Sequence, residues 1–255
     1  MKTKQEITEN WIVRYTGLPL EKFAEYIILV NFQEYLSKFS ERFNTPIHGL
    51  DKAMQCATTQ DITIINFGMG SPNAATIMDL LSAIQPKAVL FLGKCGGTKK
   101  CKLGDLILPI GAIRGEGTSD DYFSPEIPAL PAFNLQKAIS TSIRDAHIDY
   151  WTGTIYTTNR RIWEHDEHFK DYLRKTRCMG VDMETATLFI TGFANHIPTG
   201  ALLMVSDQPM TPEGVKTAAS DKMVSANYAQ RHFDIGIDTL YQLINNGITV
   251  KHLHF

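Results

Sequence analysis

Gly180-Val181-Asp182-Met183-Glu184-Thr185-Ala186 reads as a buried strand that ends in a carboxylate just where a helix starts. A second stretch, Leu202-Leu203-Met204-Val205-Ser206-Asp207, reads as another buried strand, ending in Ser-Asp. Strands that run straight into helices belong to α/β sheets, whose ligands bind outside the carboxyl ends of the strands. Glu184 and Asp207 would then face one crevice. One carboxylate can accept hydrogen bonds from sugar hydroxyls, and the other can hold or deliver a proton. Taken singly, Glu184 could merely cap a helix and Asp207 merely begin a turn. The pair, together with the glycine-rich stretches described next, favours the crevice.

Outward from these stretches the alternation of strand and helix continues. Tyr26 to Val30 is a compact apolar run and the first strand. Asn31 is expected to cap a helix through about Phe43, with Phe32, Tyr35, Leu36 and Phe39 at helical spacing. Residues 47 to 58 are ambiguous, with an edge strand as one reading. Ile62 to Phe67 is a second buried strand, followed by Gly68-Met69-Gly70 and a helix from Ala74. Ala88 to Leu92 is a third, leaving through Gly93-Lys94-Cys95-Gly96-Gly97. Strands are also expected over 105–113, broken at Pro109, over 150–157 and over 199–205. Helices are expected over 134–146, up to about Lys175, over 185–195 and over 216–245. Residues 1 to 25, with Arg14-Tyr15-Thr16-Gly17 before Leu18-Pro19, read as a turn or short N-terminal arm. The pattern predicts one α/β domain over 26–255, a mostly parallel or mixed central sheet flanked by helices.

Bulk properties exclude several classes. The chain has 255 residues, 44% hydrophobic and 20% charged, which suits an ordinary globular protein. A formal net charge of -2 gives no electrostatic case for nucleic acid or membrane. The four cysteines show no Cys-x-x-Cys pair and fit reduced thiols in the cytoplasm. The N-terminus shows no apolar signal region, and no apolar run approaches the ~20 residues that span a bilayer.

Other motifs carry less. Gly68-x-Gly70 resembles part of a dinucleotide fingerprint, but Asn73 and Ala74 stand where the third glycine belongs. Backbone N–H groups in the Gly93–Gly97 exit could hold an anion or a water; a tight loop needing positive φ is the plainer reading. His165-Asp166-Glu167-His168 is better read as a solvated helix face than as a metal site, and the same holds for His252 and His254. Cys95 has no readable His and Asp partners for a nucleophile. No metal or organic cofactor is expected.

Together, Gly68-Met69-Gly70, Gly93-x-Cys95-Gly96-Gly97, Val181–Ala186 and Val205-Ser206-Asp207 resemble the purine nucleoside phosphorylase/nucleosidase superfamily over about residues 26 to 245. More narrowly, Gly115–Tyr122, Thr152-Gly153-Thr154, Thr157–Glu164 and Gly192–Pro198 resemble the catalytic domain of the AMP nucleosidase family. The resemblance implies a nucleoside phosphorylase-like fold and hydrolysis of AMP to adenine and ribose 5-phosphate. It implies that Asp207 protonates or hydrogen-bonds purine N7, that Glu184 binds the ribose hydroxyls, and that Met183 packs under the sugar. Met69 would lie near the ribose 5′ side, with Ser206, Trp163 and Ile162 about the base. Glu34 would activate water. Arg160, Arg161, Lys94 and Arg14, the last from a neighbouring subunit, are the candidates for the 5′-phosphate; consecutive arginines on a regular element would leave one of Arg160 and Arg161 outside. Phosphorylases of this superfamily hold inorganic phosphate with an arginine in the strand before the glycine-rich exit. Phe91 stands there, and a neutral aromatic favours water as the attacking group. The long form of the family carries a regulatory domain that 255 residues do not hold, so control by ATP and phosphate is not expected. Dimer-based homo-oligomers, commonly hexamers, are implied as well.

Two other readings remain: a phosphorylase or nucleosidase for unphosphorylated nucleosides, and a non-catalytic nucleotide-binding protein on the same fold. A lost carboxylate would favour the last, and both Glu184 and Asp207 are present.

Overall fold

A computed structural model describes residues 1–98 and 101–246. His252 and His254 lie outside the described residues. Eight strands form one sheet in the order β2-β3-β1-β4-β7-β6-β5-β8, and β4 pairs also with β8. The strands are β1 (Tyr26–Val30), β2 (Gln55–Thr58), β3 (Ile62–Asn66), β4 (Ala88–Gly97), β5 (Leu106–Gly115), β6 (Tyr150–Thr158), β7 (Gly180–Asp182) and β8 (Thr199–Asp207). The extra pairing closes β4, β7, β6, β5 and β8 into a ring. β1 lies parallel to β3 and β4, β6 parallel to β5 and β7, and β4 parallel to β8. Contacts of β2 with β3, β4 with β7 and β5 with β8 are antiparallel. The sheet is therefore mixed, as expected, and the ambiguous 47–58 stretch supplies its antiparallel edge.

The strands are apolar on both faces because helices cover both. In β1, Ile27 and Leu29 join one core with Ile12, Ile77, Met78, Leu188 and Phe189. Tyr26, Ile28 and Val30 join the other, with Tyr35, Leu36, Phe39, Leu135, Ile139, Phe233 and Leu240. One layer is made by α1 (Lys4–Thr16), α3 (Ser71–Leu81) and α6 (Thr185–Ala194), the other by α2 (Gln33–Phe43), α4 (Phe133–Asp145) and α7 (Ala218–Asn246). The short helix α5 (Glu167–Thr176) covers a small third cluster of Tyr156, Trp163, Leu173, Cys178 and Val181.

Three local expectations are corrected. Residues 4 to 16 are a helix, not an arm: Thr3 and Glu6 form a capping box and Gly17 closes the helix in the left-handed region, at φ 70°. α2 begins after Phe32, so Asn31 is free of the capping role. The Gly93–Gly97 exit is strand, not loop, and none of its glycines has positive φ. Close packing explains them instead. A Cβ on Gly96 would come within 2.7 Å of Pro209 Cγ and 3.3 Å of the Asp207 carboxylate. This lets β4 run between β8 and β7: Val89–Cys95 pair with Thr199–Val205 and, past a register shift, Gly96 with Asp207, while Gly96 and Gly97 also pair with Val181 and Gly180. The shared partner Gly96 brings the ends of β7 and β8 to one place.

Candidate active site

A cleft opens where β4, β7 and β8 meet, and both Glu184 and Asp207 line it. Glu184 directly precedes α6 and is buried. Its Oε1 accepts a 2.7 Å hydrogen bond from the Gly70 backbone N–H, and its Oε2 a 3.3 Å bond from that of Met183. Gly70 can present its N–H this way because it holds φ at 95°, a region L side chains avoid. Ser71 Oγ donates to the Met183 carbonyl at 2.7 Å, so the turn after β3 is stitched to the turn after β7. Beneath lies Asp182, which accepts from Thr157 Oγ1 at 2.7 Å, from the Thr185 N–H at 2.8 Å and from the Thr185 hydroxyl. Burial pushes both carboxyls up, and the neighbouring Asp182 charge adds to the rise at Glu184. Hydrogen bonds oppose the rise at both carboxyls, from Thr185, Thr157 and the Glu184 N–H at Asp182 and from Gly70, Met183 and Asn31 at Glu184.

Asp207 ends β8 beside a different set of groups. Ser206 Oγ donates to its Oδ1 at 2.6 Å, and Lys216 Nζ stands 3.5 Å from the same oxygen. Lys216 also lies 3.6 Å from Asp221 Oδ1, and so does Lys94 Nζ. The Lys94 side chain is only 3% exposed. It donates to Ser225 Oγ at 2.7 Å and sits 4.3 Å from the centre of the Phe32 ring. Burial is the main force on its ammonium, drawing the pKa below that of a free lysine.

Of the expected residues, Met69, Met183, Ser206, Trp163, Arg160, Arg161 and Lys94 line the same cleft. Three do not. Glu34 lies in the first turn of α2, where Tyr35, Leu36 and Phe39 take the buried face; its half-exposed side chain stands 3.6 Å from Lys38, and its charge acts on Lys94 from beyond the cleft lining. Asn31 and Phe32, just before the helix, reach the cleft instead. Ile162 is 73% exposed, outside the cleft. Arg14 lies on α1 against the Trp11 ring, away from the cleft within a single copy. Arg160 and Arg161 occupy an irregular segment after β6, not a strand or helix. Both therefore reach the rim, half-exposed, Arg160 bonded to Asp166 at 2.9 Å and Arg161 3.5 Å from Glu164. His165 and His168 are exposed.

Sequence reasoning missed Asn31, Phe32, Lys216 and Asp221 as cleft residues. The Asn31 amide oxygen is buried without a hydrogen-bond partner, an acceptor left open at the cleft. Phe91 is wholly buried in the core, edge-on to Phe67 at 5.9 Å, and does not line the cleft.

Residues 25–240 match the model of the Phosphorylase superfamily. The chain belongs to that superfamily. It is 57% identical to the crystal structure of AMP nucleosidase from Bacteroides thetaiotaomicron VPI-5482, with 96% of this chain and 100% of that one covered and a TM-score of 0.86. It is 27% identical over 271 residues to the AMP nucleosidase of Escherichia coli (strain K12), covering 88% of this chain and 56% of that protein. The chain thus spans about half the length of the curated relatives it first matches. Uridine phosphorylase from Vibrio fischeri ES114 shares the fold at 22% identity and a TM-score of 0.77, covering 88% of this chain and 94% of that one. The Phosphorylase superfamily member described here therefore joins the expected fold to a cleft with two carboxylates at strand exits.

Proposed function

We propose that this chain hydrolyses the N-glycosidic bond of AMP, giving adenine and ribose 5-phosphate. The observation that carries the reading is the pairing of Glu184 and Asp207 across one cleft; in the sequence, Phe91 stands where the resemblance implies a phosphorylase's phosphate-holding arginine. The choice of AMP rests on the likeness to the Bacteroides thetaiotaomicron AMP nucleosidase over nearly the whole of both chains.

N-glycosidic cleavage builds positive charge on the sugar and negative charge on the departing purine. Glu184 accepts hydrogen bonds from the ribose hydroxyls, which favour its ionised form, and that charge stabilises the oxocarbenium-like sugar. Protonated Asp207 gives its proton to purine N7 as the C–N bond breaks. Water adds to the anomeric carbon, and the proton it sheds restores Asp207 by way of solvent. Met69 and Met183 pack against the sugar, and Trp163 and Ser206 against the base. Asn31 offers its open acceptor to the water or to a ribose hydroxyl. No step calls for a metal or an organic cofactor. Arg160, Arg161 and Lys94 are the cleft cations available to the 5′-phosphate; Arg14 can serve only from a neighbouring copy. The same reading makes the protein a cytoplasmic, dimer-based homo-oligomer, a homohexamer. Exposed Ile110, Leu130 and Phe133 agree with a subunit interface.

Incubation with AMP, adenosine and inosine, with and without inorganic phosphate, tests the reading. Adenine and ribose 5-phosphate should form from AMP at a rate that added phosphate does not raise. Phosphate-dependent release of a ribose 1-phosphate would make the chain a phosphorylase, and turnover of adenosine in preference to AMP would remove AMP as the substrate.

A further inference from the structure

α2 begins without help from its own side chains: Phe32 precedes it, and no side-chain hydrogen bond caps its first turn. That turn matters to the cleft, because Asn31 and Phe32 line it immediately ahead of the helix. The Asn31 side chain bonds Glu184, and the Phe32 ring lies 4.3 Å from the Lys94 ammonium. A buried polar contact outside the cleft lining ties the turn down. Tyr35 is wholly buried and holds its hydroxyl 2.8 Å from Nδ1 of His232, itself wholly buried on α7. The other ring nitrogen, Nε2, lies 2.9 Å from the Leu202 carbonyl of β8.

The partners dictate where each proton sits. Burial, aided by the Lys94 and Arg231 charges, draws the His232 pKa down to about 4 and keeps the ring neutral. A carbonyl only accepts, so the single ring hydrogen is on Nε2 and Nδ1 keeps its lone pair. The Tyr35 hydroxyl therefore donates to Nδ1. The Tyr35 ring stands edge-on to His232 at 5.6 Å and edge-on to Phe32 at 6.4 Å. Contacts thus run from β8 through His232 and Tyr35 to Phe32 in the cleft wall.

We infer that Tyr35 and His232 are positioning residues for the cleft: their hydrogen bond ties the uncapped first turn of α2 to β8 and so sets Asn31 and Phe32 against Glu184 and Lys94. Core packing alone does not call for this pair. Apolar side chains of similar volume would fill the space without the desolvation that a buried hydroxyl and imidazole cost. The hydrogen bond adds direction, because the hydroxyl meets Nδ1 in only one phase of α2. The inference rests on the proposed function for the reaction by which it is read.

Steady-state kinetics with AMP, and two-dimensional NMR of the ligand-free full chain, test the pair. Tyr35→Phe removes one oxygen and keeps the ring. The Asn31 side-chain amide and the Phe32 backbone amide should shift. The kcat should fall roughly 10- to 100-fold, the scale of a group misplaced by about an ångström. KM should move by less than about threefold, since the groups that hold substrate remain. His232→Leu breaks the same bond from the other side and should give the same fall, so the result does not hang on one variant's folding. Ile139→Val trims the same core from α4 and should leave kcat within about twofold of the parent's, although it too lowers the melting temperature. A kcat within about twofold of the parent's in both Tyr35→Phe and His232→Leu, or an equal fall in Ile139→Val, overturns the inference. Should the parent leave AMP intact, the proposed function falls and NMR alone decides. Unmoved Asn31 and Phe32 signals in Tyr35→Phe would then sink the positioning role as well.

Discussion

Glu184 and Asp207 stand on two exits of one sheet, yet their surroundings differ in kind. Glu184 is enclosed by backbone N–H groups, the Asn31 side chain and the Asp182 carboxylate, with no ammonium or guanidinium in contact among the described residues. Asp207 is bonded to Ser206 and stands beside Lys216, at the start of the 208–217 loop. The first position is rigid, stitched to two turns and pre-set to receive donors. The second sits among groups that can move a charge. Two carboxylates of similar intrinsic acidity are thereby given separate tasks by environment alone.

The comparison breaks most visibly at Asp207. Asp207→Asn keeps the shape and removes the transferable proton. General acid catalysis contributes about 10²–10⁴-fold, so kcat for AMP should fall by that order while the melting temperature stays close to the parent's. Turnover near that of the parent would take Asp207 out of the acid role.

A smaller loss is expected at the enclosed carboxylate. Glu184→Gln retains an acceptor for Gly70 but loses the charge that faces the sugar. A hydrogen bond to a charged group contributes about 1.5–3 kcal/mol, so kcat/KM for AMP should drop by roughly 10- to 150-fold. The loss should be selective: 2′-deoxy-AMP, poorer with the parent, should be affected less. Equal cleavage of AMP and 2′-deoxy-AMP by the parent would leave the ribose hydroxyls without their partner.

The last effect concerns stability and pH. Burial and the Asp182 charge raise the folded-state pKa of Glu184 above its unfolded value. The folded chain therefore holds this proton where the unfolded chain has lost it. The associated stability is complete below the ordinary carboxylate range and is lost as pH rises toward the raised folded value. Glu184→Gln has no such titration. Its stability relative to the parent's, followed by thermal unfolding, should climb across that window by at most about 1.4 kcal/mol per pH unit. A difference that stays flat between acid and mildly alkaline pH would show that Glu184 is already ionised in the folded chain.

Strand and helix alternation, the buried strands and the two carboxylates could all be read along the chain, because each is a local pattern of apolar period or of a residue at an element's end. The N-terminal helix was legible too, through Thr3-x-x-Glu6 and Gly17, but its polar surface hid it; only Thr8, Ile12 and Thr16 are buried. The glycines of 93–97 were misread as a loop because local propensity sees a missing side chain and not the neighbour that forbids one. Pro209 and Asp207 decide that Gly96 is strand, and the closure of β4 onto β7 and β8 follows from them.

The sequence by itself determined the α/β class, the superfamily motifs and the pair Glu184 and Asp207. Tertiary structure alone decided that Asn31, Phe32, Lys216 and Asp221 stand with them. Helical phase left Glu34 half-exposed beside the cleft, with Asn31 and Phe32 lining it. Lys216 and Asp221 reach Lys94 across more than a hundred positions, through the return of β8 beside β4. Charged groups on a loop and a helix end carry no periodic signal of their own, and what they do depends on distances that only the folded chain sets.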